Sequence, residues 1–168
     1  GVALSGQHLG IRAIIVMPKT TPDIKVQAVK RLGGEVVLHG DSFDVANKYA
    51  IARAAEDGMT FIPPYDDELV MAGQGTIGNE ILRQWRDVDY VFVAVGGGGL
   101  IAGVAAYLGD VAPHVKVIPV EYDESACLKA ALETNERVIL PTVGLFADGT
   151  AVAQIGEKPF DVIRLQKS

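Results

Sequence analysis

Tyr90-Val-Phe-Val-Ala-Val95 runs into Gly96-Gly-Gly-Gly99 and on into Leu100-Ile-Ala-Gly-Val-Ala-Ala-Tyr-Leu108. The first six residues are apolar and rich in valine and aromatics, the composition of a buried strand. Four glycines end that element, and the apolar run behind them is long enough for a buried helix. A strand that turns directly into a helix is half of a β-α-β crossover, the unit from which parallel sheets are built. Reading outward, the same alternation fills most of the chain.

Upstream, residues 11–17 form a β-branched run stopped by Pro18, and residues 21–33 predict a helix. Thr21 would be its N-cap, Pro22 its first helical residue, and Gly33 or Gly34 its stop. Residues 35–39 predict the next strand. Ser42 or Asp41 then caps a helix on which Val45, Ala46, Tyr49, Ala50 and Ala54 recur at helical spacing, and Gly58 ends it. Residues 59–62 predict a third strand, stopped by Pro63-Pro64. Gly73-Gln-Gly-Thr76 leads into a helix reaching Trp85. Beyond the glycines, residues 115–121 predict a strand and residues 125–133 a helix, after which the pattern is less regular. Right-handed crossovers would set these strands parallel, with helices on both faces: an α/β fold of two open lobes. The Pro-Pro and Gly-Gln-Gly interruptions between residues 63 and 75 separate the lobes, giving residues 1–74 and 75–168.

Composition narrows the function. The 168 residues are 49% hydrophobic, enough for a real core, and 19 Gly against 8 Pro exclude a collagen-like chain. The single cysteine, Cys127, forms no internal disulfide, no Cys/His cluster has zinc-ligand spacing, and a cytoplasmic location is expected. A net charge of −6, with eight Lys and seven Arg scattered along the chain, argues against a nucleic-acid partner. Residues 90–109 carry no charge over a membrane-spanning length, but their six glycines break a spanning helix, so no membrane partner is expected. Gly99-Leu-Ile-Ala-Gly103 has small-xxx-small spacing, which here would pack a helix closely on a sheet.

The tetraglycine loop is the strongest chemical feature. Between a strand and a helix, residues without a Cβ let successive N–H groups converge on one anion, and the helix N-terminus adds partial positive charge. This is a phosphate cradle. Gly97-x-Gly99-x-x-Ala102 also satisfies the loose dinucleotide fingerprint, with Glu121 at the end of the next strand where a ribose-binding acid would stand. Against that rival, such fingerprints usually open their domain, whereas three strand candidates precede this one.

Gly1-Val-Ala, Ile15-Val-Met-Pro18, Asp23-Ile-Lys-Val, Gly33-Gly-Glu-Val, Gly73-Gln-Gly-Thr76, Val95-Gly-Gly-Gly-Gly-Leu100, Ser125-Ala-Cys-Leu-Lys-Ala-Ala131 and Gly144-Leu-Phe-Ala-Asp-Gly149 stand in that order over almost the whole chain. Together they resemble the biosynthetic threonine dehydratases (threonine ammonia-lyases), which are fold-type II pyridoxal-phosphate enzymes similar to serine dehydratases and serine racemases. The resemblance implies an incomplete tryptophan synthase β-like fold, with residues 1–74 in the small domain and 75–168 in the large one. It implies pyridoxal 5'-phosphate as cofactor, a small amino-acid substrate and a homo-oligomer. The activity it implies is β-elimination from threonine to 2-oxobutanoate and ammonia, the first step towards isoleucine.

Carried onto these positions, the resemblance makes Gly96, Gly97, Gly98, Gly99 and the amide of Leu100 the phosphate ligands. Gly149 falls in the segment whose backbone passes close to the pyridine ring, and Asp148 lies on the substrate side or is only an Asp-Gly turn. Glu121 is similar to a carboxylate that helps hold a cation in some relatives, but the neighbouring ligands do not align and a structural glutamate is expected. Gly73-Gln-Gly-Thr76 resembles the crossing between the domains, where closure would hinge; Thr76 is otherwise a helix cap. The family's Schiff-base lysine lies in an early S-x-K-x-R-G-A-like segment, and none of lysines 19, 25, 30, 48, 116, 129, 158 and 167 stands in such a context. The chain therefore reads as an internal piece of an enzyme, inactive alone. The alternatives are a serine dehydratase or racemase relative, or a non-catalytic phosphate- or dinucleotide-binding module using the same glycines.

The other polar residues read as structural. His8, His39 and His114 have no companion at metal or triad spacing. Cys127, at a helix start where a thiol pKa can fall, reads as a structural residue. Trp85 and Tyr90 read as packing residues of the second lobe, and Asp66-Asp-Glu68 as a solvated loop with a cation site as the alternative.

Overall fold

The computed structural model describes residues 1–144 and 146–166. Leu145 of the 144–149 motif and Lys167 lie outside the described residues. The chain divides into two compact units, Gly1–Ile62 and Pro63–Ser168.

The first unit runs α1 (Val2–Leu9), β1 (Ile14–Met17), α2 (Asp23–Arg31), β2 (Glu35–Leu38) and α3 (Phe43–Glu56). β1 and β2 pair in parallel, Ile14 beside Glu35 through Met17 beside Leu38, with α2 as the crossover. Pro22 is the N-cap of α2 and not its first helical residue, because its ψ of 137° is still extended. Leu32 closes the helix, and Gly33 turns the chain toward β2 at a φ of +76°. Ser42 caps α3 by accepting the Val45 N–H at 3.4 Å. The expected third strand at residues 59–62 is not formed: the Met59 N–H goes back to the Ala54 carbonyl at 2.8 Å, and Pro63 and Pro64 bring no N–H to a ladder. α1 has no counterpart in the sequence reading.

The second unit runs α4 (Glu68–Gln84), β3 (Tyr90–Ala94), α5 (Gly99–Val111), β4 (Lys116–Val120), α6 (Cys127–Thr134) and α7 (Glu157–Leu165), with 3-10 turns at Asp123–Ser125 and Asp148–Thr150. β3 and β4 pair in parallel around α5, Tyr90 beside Lys116 through Ala94 beside Val120. Val93, Val95, Ile101, Val104, Leu108, Leu128, Ile155 and Phe160 belong to one buried cluster. Among the described residues Tyr90 and Phe92 stay 53% and 70% exposed, because β3 alternates and the unit's core gathers on the Val93 side. The uncharged window 90–109 is thus strand, loop and helix, and no helix among the described residues is long and apolar enough to cross a membrane.

α4 begins well before the expected break. Asp67 caps it, accepting the Leu69 and Val70 N–H groups at 2.9 and 3.1 Å, and Gly73-Gln-Gly-Thr76 lies inside the helix. Those glycines cost helix propensity, about 1 kcal/mol each, but one of them allows a close crossing. A Cβ at Gly75 would stand 3.1 Å from the Gly103 carbonyl of α5, and a Cβ at Gly103 would run into the Met71 carbonyl and the Gly75 nitrogen. Of the small-xxx-small pair, Gly103 therefore packs α5 on α4, while Gly99 lies against Tyr65. Thr76 is not a cap; its hydroxyl donates to the Gly73 carbonyl at 2.6 Å within the helix. A partition at 74/75 would cut through α4, whereas the compact units meet at Ile62 and Pro63.

Candidate phosphate-binding site

Gly98, at a φ of +90° that favours glycine, is the N-cap of α5, and its carbonyl accepts the Ala102 N–H at 2.9 Å. Ahead of Ala102, the N–H groups of Gly97, Gly98, Gly99, Leu100 and Ile101 meet no acceptor among the described residues. Gly97, Gly98 and Gly99 are buried. A buried N–H without a partner costs about 1–3 kcal/mol, so a row of them at a helix N-terminus is a site shaped for an acceptor with several oxygens and negative charge. A phosphate monoester fits both demands, and the phosphate of pyridoxal 5'-phosphate is one.

The loop is walled on every side by its own unit. A Cβ at Gly96 would lie 3.1 Å from Thr150 Cα; one at Gly97 would collide with the Tyr65 ring; one at Gly98 would lie 2.5 Å from Ile155 Cδ1; and one at Gly99 would lie 2.8 Å from the Tyr65 carbonyl oxygen. Two of its carbonyls are held from behind. Gly96 accepts the Cys127 thiol at 3.6 Å, and Gly97 accepts the Gly156 N–H at 3.0 Å. Tyr65, Thr150 and Gly156 escaped the sequence reading because no local pattern ties them to residues 96–99.

The 3-10 turn Asp148–Thr150 approaches the loop through Thr150. Asp148 and Gly149 are exposed, and nothing lies within 4 Å of the position a Gly149 Cβ would take. Glu121 has both carboxylate oxygens occupied, accepting the Leu128 and Lys129 N–H groups at 2.8 Å each at the start of α6. A cleft of about 400 Å³ beside it is lined by Pro119, Asp123 and Ala126, and none of the four glycines contributes to it. Among the described residues no group of three or more His, Cys, Asp or Glu side chains could hold a metal ion.

Cys127 does start a helix, but its thiol pKa does not fall. Full burial, and after it the nearby Glu121 carboxylate, push it up from 9.0 to about 11. Asp66-Asp-Glu68 is not a solvated loop. Asp66 accepts the Glu157 and Lys158 N–H groups at 3.0 and 2.9 Å, Asp67 caps α4, and Glu68 pairs with the Lys158 ammonium at 3.1 Å. Trp85, just past α4, is 67% exposed and Tyr90 lies on the open sheet face, so neither is a packing residue. In the first unit His39 stacks on Tyr49 with ring centroids 4.0 Å apart.

Comparison with known proteins gives the loop its context. The L-threonine dehydratase biosynthetic IlvA of Haemophilus influenzae is 58% identical over 160 residues, which are 95% of this chain and 31% of that protein. The chain thus spans about a third of the length of such a relative. The structure of the processed form of threonine deaminase isoform 2 from Solanum lycopersicum superposes with a TM-score of 0.91 at 51% identity, covering 97% of this chain and 45% of that one. Maize serine racemase superposes with a TM-score of 0.88 at 29% identity, covering 97% and 50%. The family match itself runs over residues 1–167, and the chain, with its buried fan of N–H donors ahead of α5, belongs to the pyridoxal-phosphate dependent enzymes.

Proposed function

We propose that the whole protein carrying this chain is a pyridoxal 5'-phosphate-dependent L-threonine dehydratase, converting L-threonine to 2-oxobutanoate and ammonia. The tetraglycine loop carries the reading, since its buried N–H groups require an anion and the helix behind them favours one. Threonine is supported over serine by 58% identity to a threonine dehydratase against 29% to a serine racemase. When bound, the cofactor serves as the electron sink that acidifies the substrate's Cα–H and lets the β-hydroxyl depart.

This chain's own residues bind and orient. The N–H groups of Gly96, Gly97, Gly98, Gly99 and Leu100 hold the phosphate oxygens and Tyr65 closes one wall of the loop. The family resemblance supports placing the Gly149 backbone beside the cofactor ring and Asp148 on the substrate side, and both residues are exposed in this chain. The protein acts as a homo-oligomer in the cytoplasm on a free amino acid, without nucleic-acid or membrane partners.

The test is product analysis with the full-length protein given L-threonine and L-serine separately. Formation of 2-oxobutanoate at the higher kcat/KM supports the reading. A higher kcat/KM for pyruvate formation from serine, or racemised serine as the main product, overturns it. The 168-residue polypeptide alone is expected to release no ammonia from threonine.

A further inference from the structure

In a trans peptide the C=O of one residue and the N–H of the next point to opposite sides of the chain. A bond that pins a loop carbonyl from behind therefore aims the following N–H forward. The Gly97 carbonyl is pinned by the Gly156 N–H at 3.0 Å, so the Gly98 N–H points away from α7. The Gly96 carbonyl is pinned by the Cys127 thiol at 3.6 Å, which turns the Gly97 N–H away from α6. The aim of the phosphate donors is thus set by partners outside the loop.

Gly156 is the N-cap of α7, and its own position is held by Asp66. The two N–H groups that follow it, those of Glu157 and Lys158, both end on the Asp66 carboxylate at 3.0 and 2.9 Å. Three successive N–H groups at the start of α7 are therefore shared between the glycine loop and one aspartate. A carboxylate at this place is doubly suited, because it accepts both bonds and meets the positive end of the helix dipole. On either side of Asp66 the chain is fixed as well. Tyr65 lies against Gly97 and Gly99, and Asp67 caps α4.

We propose that Asp66 is a positioning residue of the phosphate site: by holding the first turn of α7 it keeps the Gly156 N–H on the Gly97 carbonyl and so aims the Gly98 N–H at the bound anion. The proposal rests on the reading of residues 96–99 as a phosphate loop. The bonds shown for Asp66 go to the start of α7 and not to the glycine loop. Asp66 acts through Gly156, and its neighbour Asp67 provides a control, since that carboxylate caps α4 and its bonds go to Leu69 and Val70.

The experiment uses the full-length protein and its variants Asp66→Ala, Asp66→Asn and Asp67→Ala. Two readouts are taken: the Kd for rebinding pyridoxal phosphate to the apoprotein, and the ³¹P resonance of the bound phosphate. Asp66→Ala is expected to weaken binding about tenfold and to move the resonance, as loss of an outer partner does at other ligand sites. Asp66→Asn, which retains one acceptor oxygen, falls between it and the unaltered protein. Asp67→Ala lowers the melting temperature and leaves both readouts in place. Unchanged Kd and resonance in Asp66→Ala overturn the proposal, as does an equal change in Asp67→Ala. If Asp66→Ala does not fold, an unmoved resonance in Asp66→Asn overturns it. If the unaltered protein shows no bound phosphate resonance, the phosphate-loop reading itself fails, and the proposal with it.

Discussion

The Cys127 thiol keeps its proton because it is fully buried and faces the Glu121 carboxylate's field, and this ties stability to pH with a definite sign. The folded state holds the proton more tightly than the unfolded chain. Its contribution is therefore whole below pH 9.0, declines above it, and is lost as pH rises through about 11. Urea midpoints measured across that window should fall for the unaltered chain and fall less for Cys127→Ala; equal slopes would contradict the assignment. The residue scale also shows what local sequence reveals. Four glycines between a strand and a helix stand out in the sequence, and the packing around them and the φ at Gly98 account for why glycine is needed there, while the anion they would hold belongs to the proposed function. Asp66 declares nothing, because three consecutive acids look like a wet loop and the amides it serves are 91 and 92 positions away.

Helices α4 and α5 show why element boundaries resisted the sequence. Gly73-Gln-Gly reads as a break by propensity, yet the helix continues because backbone contact at Gly75 and Gly103 outweighs the cost. The same contrast predicts opposite effects for one kind of substitution. Gly103→Ala should destabilise the 168-residue polypeptide by about 1–3 kcal/mol, since the new methyl meets the Met71 carbonyl and has nowhere to go. Gly73→Ala should be neutral or stabilising by about 0.5–1 kcal/mol, because nothing lies within 4 Å of its Cβ position and it sits inside a helix. Denaturant unfolding of the two variants checks both. α7 was missed for a related reason. Pro159 in Glu157-Lys-Pro-Phe reads as a breaker, but in the first turn of a helix its missing N–H would have had no partner anyway.

Over the molecule, alternation of strands and helices was enough to give parallel α/β units, since both crossovers have their periodicity in plain view. Which face of β3 carries this unit's core was not legible, because it depends on neighbours that the strand's own pattern does not name. The two units also differ in how much they bury. The buried apolar side chains of the first unit are Ala3, Val26 and Ala46, whereas the second gathers a continuous cluster from Met71 to Ile163. Amide exchange of the 168-residue polypeptide should accordingly be faster in β1, α2 and β2 than in α5, by about an order of magnitude or more. Protection of the two units to the same degree would contradict this.

The tie from Asp66 to α7 has a consequence for how the molecule is made. Closing so long a stretch of chain is entropically late, and during synthesis Asp66 and the glycines emerge well before Glu157 exists. Until α7 is complete and seated, the Gly97 carbonyl has no donor and the cradle has no fixed aim. On the phosphate-loop reading, anion binding would then come late in folding. A ligand that bound only the finished arrangement would stabilise it by mass action, so refolding the full-length protein with pyridoxal phosphate present is expected to give a higher yield than refolding without it.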